Sequence, residues 1–143
     1  MWIVFSLLAA LSAAIVVTLS KAGIKNVDSS LAFAVQSILI VLVAWSVVAW
    51  QGNLPNVAAI DGRSWAFLVA AGVITCVSSL LSFRALALGN ASRVSPLDKV
   101  SLVFAIVLAA VFLKEKISWQ VMLGAGLMVI GAVVIAMSKP VGE

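Results

Sequence analysis

Five stretches of roughly twenty mostly apolar residues follow one another along this chain, with short polar breaks between them. A helix rising 1.5 Å per residue needs about 20 such residues to cross ~30 Å of hydrocarbon. Inside a bilayer every backbone N–H and C=O must find a partner, which leaves helices and closed barrels. The apolar runs are long and show no two-residue alternation, so helices are expected rather than barrel strands. With 64% hydrophobic and 10% charged residues, a water-soluble fold could not hide its apolar surface. The expected fold is therefore an all-α integral membrane bundle of five transmembrane helices, forming one domain over residues 1–143.

The spans read as residues 2–20, 30–50, 65–88, 96–113 and 119–138. Ser29 offers an N-cap to the second, and Gln51-Gly52-Asn53-Leu54-Pro55-Asn56 breaks the chain after it. Gly89 and Asn90 are C-cap candidates for the third. Ser95-Pro96-Leu97-Asp98 predicts the start of the fourth, with serine as cap and proline at the first helical position. Lys114-Glu115-Lys116 closes that span, and the fifth stops before Lys139-Pro140. Trp2, Trp50, Trp65 and Trp119 fall at span ends, where indoles favour the headgroup level. The first run has no basic leader and more spans follow, so it is expected to be a helix rather than a cleaved signal.

Net charge is +4, but the nine basic residues stand singly between apolar runs and form no patch that could follow nucleic acid. Lys21, Lys25, Arg84, Arg93, Lys99 and Lys139 would face one side, against Arg63, Lys114 and Lys116 on the other. The bias favours an inside C-terminus, and it is weak enough to suit insertion both ways. A plasma (inner) membrane of a bacterium or archaeon is the expected location. Histidine is absent and Cys76 is alone, so no metal site and no cofactor are expected. Catalysis has little to draw on, since only Asp98 near Lys99 or Arg84 could serve as an acid–base pair. No enzyme is expected.

Polar groups within spans are costly and each needs a reason. Gln36 could bond across to another helix or line a cavity and touch a solute. Thr75, Ser79 and Ser82 share a helix face and could either pack against a neighbour or line a polar path. A fourth span beginning at Pro96 is only about 27 Å long, which puts Asp98 and Lys99 in its interfacial turn. There they would cap and snorkel, or form a charged mouth in which Arg84 pairs with Asp98 and Lys99 meets solute. On that reading no carboxylate lies deep in any span. Gly124 and Gly131 lie on one face of the last helix and could serve packing within the chain or a dimer seam.

Four segments carry a family likeness. Leu19-Ser20-Lys21-Ala22-Gly23 closes the first helix, and Phe83-Arg84-Ala85-Leu86-Ala87-Leu88-Gly89 the third. Ala91-Ser92-Arg93-Val94-Ser95-Pro96-Leu97 leads into the fourth, and Phe112-Leu113-Lys114-Glu115-Lys116-Ile117-Ser118 links it to the fifth. In order and spacing the chain resembles a single EamA-type repeat of the drug/metabolite transporter superfamily. Typical members carry two such repeats, inserted in opposite orientations, with a solute path between them. The resemblance therefore implies a small-molecule transporter or exporter working as a homodimer, antiparallel or not, and it favours the seam reading of Gly124 and Gly131. EamA-type second helices often carry an arginine about where Gln36 sits, so Gln36 is implied as a solute contact. The glycine pair also resembles the dimerising helix of the small multidrug resistance proteins, whose embedded glutamate is replaced here by Ala13. A non-transporting membrane subunit, or a component of a lipid-linked carrier flippase, is the alternative. Its partners would be lipid and other membrane proteins, in place of a transported solute.

Overall fold

The computed structural model describes residues 1–138 of the chain; the expected stop at Lys139-Pro140 lies outside them. The described residues form helices joined by short turns, with no strand among them. The helices are α1 (Trp2–Gly23), α2 (Ser29–Trp50), α3 (Gly62–Leu88), α4 (Ala91–Asp98), α5 (Ser101–Phe112) and α6 (Trp119–Met137). α4 and α5 together make one apolar span, Ala91–Phe112, so five stretches are long and apolar enough to cross a membrane. Large apolar side chains are exposed along every one of them. In lipid that exterior costs nothing, because the tails are as apolar as leucine.

Helix starts are set by carboxylates more than by the serines that follow them. Asp28, not Ser29, caps α2: its Oδ1 accepts from Ser30 N at 2.9 Å and Leu31 N at 3.2 Å. Ser29 is already helical and buried. Asp61 takes Ser64 N at 3.2 Å in the same way, so α3 begins at Gly62, three residues before Trp65. α1 runs on to Gly23 and continues as a tight turn over Ile24–Asn26.

The fourth span corrects the sequence reading most. Asn90 is extended and its carbonyl accepts from Arg93 N and Val94 N, both at 3.0 Å, so the helix opens five residues before Pro96. Ser95 is therefore no cap, and Pro96 stands inside a helix. An internal proline lacks the N–H that would bond to the carbonyl four residues back, in this case that of Ser92. Here Val100 N bonds to Leu97 O at 3.1 Å and Leu102 N to Lys99 O at 3.0 Å, three-residue closures that part α4 from α5.

The helices form two compact units, Met1–Ala87 and one from Leu88 onward. In the first unit, the buried side chains Ile24, Ser29, Phe83 and Leu86 gather where α1 ends, α2 begins and α3 ends. Phe33 and Phe83 meet there, ring centroids 5.5 Å apart and tilted by 58°. Such a pair adds about 1 kcal/mol beyond its buried area. The Lys21 ammonium donates to Leu86 O, capping the last turn of α3 with positive charge.

The second unit repeats the device. The Arg93 guanidinium donates to Ala136 O near the end of α6. α4 packs against α6, whose Ala132 is buried. Small side chains let the two backbones approach. At Gly124 and Gly131 of α6, an added Cβ would meet nothing within 4 Å.

α5 ends in a left-handed turn. Leu113 N and Glu115 N both bond to Ala109 O, at 3.0 and 3.3 Å, and Lys114 between them has φ 55°. A residue with a Cβ is strained there by about 1 kcal/mol, which glycine avoids. Lys114→Gly is expected to stabilise the chain by about that amount, read as a raised denaturation midpoint in detergent; an unchanged or lowered midpoint would contradict the strain.

Candidate functional site

The end of α1 and the start of α2 leave a cavity of about 450 Å³ in the first unit, with Phe83 of α3 as part of its wall. Gly23 and Ala32 keep it open because their side chains are small or absent, and a Cβ at Gly23 would meet nothing within 4 Å. Val16, Leu19 and Val35 supply apolar wall. Two polar groups interrupt it. Ser20 Oγ donates to Gln36 Oε1 at 3.4 Å, joining α1 to α2. Gln36 lies seven residues into α2, about 10 Å along the helix. Gln36 therefore makes an interhelical bond and also forms part of the cavity wall.

Other hydroxyls in these spans are spent locally. Ser6, Ser12 and Thr18 of α1, and Ser37 and Ser46 of α2, each donate to the carbonyl four residues back. Ser20 breaks that habit by reaching across to a different helix. Thr75 is exposed and Ser79 and Ser82 are half-buried; none of the three lines the cavity.

At the rim of the first unit, Asp28 is held below the usual carboxylate range. The N–H groups of Leu31 and Ser30 are the main cause, and the Arg84 guanidinium adds to it. Arg84 acts on Asp28 as the weakest of these causes, beside the backbone donors. In the second unit Asp98 stands beside Lys99, with 4.0 Å between the charged atoms. A second cavity, about 590 Å³, runs between α5 and α6 with Gly124 and Ala125 in its wall. Among the described residues, no three or more metal-ligating side chains come together.

The model of the EamA-like transporter family matches residues 1–137 of the 143. The chain belongs to the EamA-like transporter family. An uncharacterized transporter from Sinorhizobium, in the region 3′ of cobO, is 36% identical over 135 residues, covering 94% of this chain and 96% of that protein. An uncharacterized protein of Methanocaldococcus jannaschii is 30% identical over 84 residues, 59% of this chain and 61% of its own length. No solved structure matches the chain with significance.

For this EamA protein, the early start of α4 changes where its charges sit. Asp98 lies seven residues into the Ala91–Phe112 span, about 10 Å along it, and Lys99 follows at the break. Neither occupies the first turn of the helix that opens at Ala91.

Sequence reasoning missed Ser20, Asp28, Phe33 and Phe83. Ser20 and Phe83 stood in segments that carry the family likeness, and Asp28 preceded an apolar run in cap position. Phe33 gave no signal distinct from lipid-facing residues.

Because its native pKa is depressed, Asp28 contributes stability that is complete above about pH 4 and is lost as pH falls through the native value. Asp28→Asn keeps a capping oxygen without the charge, so it should flatten the acid limb of a detergent denaturation profile; an unchanged limb would contradict this. The depth of Asp98 is tested by labelling. Asp98→Cys in a Cys76→Ser background should react at least tenfold faster with a membrane-permeant maleimide than with an impermeant one, whereas Asn90→Cys should react with both. Equal rates at Asp98→Cys would return it to the interface.

Proposed function

We propose that this chain is a transporter of small metabolites or amphiphiles, working by alternating access as a homodimer. Membership of the EamA-like family and a relative named as a transporter support a membrane transporter. The observation that carries the finer reading is the Ser20–Gln36 pair in the wall of the 450 Å³ cavity. A polar side chain held deep in an apolar span and open to a cavity is where membrane proteins handle solute. The cavity also falls in the volume range of small-molecule sites, ~300–1,000 Å³.

The homodimer rests on a separate argument. Gly124 and Gly131 lie on one face of α6, and a Cβ at either would meet nothing within 4 Å. Glycine favours close approach of another backbone, and a second copy of α6 is the partner of matching shape. The weak charge bias across the spans suits an antiparallel as well as a parallel pair. Thr75, Ser79, Ser82, Arg84, Asp98 and Lys99 remain further candidates for solute contact. The relatives come from a bacterium and an archaeon, and the membrane common to both kinds of cell is the plasma membrane.

Reconstituted into liposomes, the protein should move at least one solute from a broad panel of polar metabolites and amphiphiles, with the mass of a dimer. Gln36→Leu should cut that flux at least tenfold, and bulky substitution of Gly124 and Gly131 together should yield monomer. No flux across the panel would overturn the transport reading, and a wild-type monomer that transports would overturn the dimer.

A further inference from the structure

The cavity between α1 and α2 differs from the other polar features in having no charged wall: among the described residues, no Asp, Glu, Lys or Arg lines it. Lys21 follows Ser20 in sequence, but its ammonium donates to the Leu86 carbonyl. An ion in this cavity would lose its hydration without gaining a counter-charge, which costs several kcal/mol. The cavity therefore rejects net charge of either sign.

What it offers instead is one amide. The Gln36 oxygen takes the Ser20 hydroxyl, and the Gln36 NH₂ carries two donors for which the described residues give no acceptor. A guest that answers them needs a hydrogen-bond acceptor such as a carbonyl or ether oxygen. The remaining wall is aliphatic or aromatic, and the Phe83 side chain is buried against it. Leu19 and Val35 on the rim are 66% and 55% exposed, so the cavity is continuous with the surface that lipid covers.

We infer that the cavity binds an uncharged amphiphile, with its carbonyl or other acceptor head on Gln36 and its apolar tail against Val16, Val35 and Phe83, loaded sideways from the bilayer. This names the substrate class for the transport reading above and rests on it. The physical logic is that of any mixed site: an apolar wall supplies most of the affinity, and one well-placed polar group fixes orientation. Loading from lipid also concentrates such a guest before it binds.

The test is binding, measured apart from transport. Protein in nanodiscs and matched empty nanodiscs are equilibrated with radiolabelled decanamide, decane, decanoate or decylammonium. Decanamide should bind saturably above the empty-disc background, with decanoate and decylammonium at least tenfold weaker. Gln36→Leu should weaken decanamide about fivefold to tenfold, the worth of one hydrogen bond, and leave decane unchanged. The unchanged decane binding shows that the variant still has its cavity. Gly23→Leu, placed where a Cβ meets nothing, should fill the space and remove both decanamide and decane. Decanoate or decylammonium binding as tightly as decanamide would overturn the proposal, and so would decanamide binding indifferent to Gln36→Leu. Saturable, Gln36-dependent binding without decanamide flux supports the site and counts against the transport reading. Flux of any solute that ignores Gln36→Leu does the reverse.

Discussion

Polar atoms in these spans have to find partners within the protein or in a bound guest, because lipid supplies none. Most of the chain meets that demand within single helices: the backbone ladders close on themselves and the hydroxyls of Ser6, Ser12, Thr18, Ser37 and Ser46 bond back one turn. The exceptions then define the tertiary structure. Lys21 reaches the end of α3, Arg93 reaches the end of α6, and Ser20 reaches Gln36. With so few buried side chains, these cross-helix bonds and the Phe33–Phe83 contact specify where the helices meet.

The two cations act through one physical mechanism. The last carbonyls of a helix lack helical donors and carry the negative end of its dipole, and a cation satisfies both needs. Lys21 does this for α3 and Arg93 for α6. Both were legible in the sequence as flanking charges, but their targets were not. Spacing along a chain says which face a residue occupies, not which carbonyl of another helix it will meet.

That distinction also separates what the sequence disclosed from what it concealed. The five apolar stretches and Gln36 were visible because hydropathy and an isolated amide are local signals. Ser20 was invisible as a site residue because its role depends on α2 lying beside α1. The fourth span was misplaced for a different reason. Ser95-Pro96 is a strong local start signal, and a long apolar helix running on from Asn90 overrode it. The helix tightens only beyond the proline, at Lys99 and Val100, a feature that local propensity does not encode. Similarly, Asp28 displaced Ser29 as the cap of α2 because its carboxylate gathers the backbone donors of Ser30 and Leu31.

Because so little of this chain is interior, its tolerance to substitution is lopsided. Across most of the outer faces of the helices, one aliphatic side chain can replace another with small effect, since no jigsaw fit is lost. Harm concentrates at a short roster: Ile24, Ser29, Phe83, Leu86 and Ala132, which are enclosed, and the residues whose bonds cross between helices. Two homologues of this chain could thus drift far apart in identity while their lipid-facing surfaces remain chemically interchangeable.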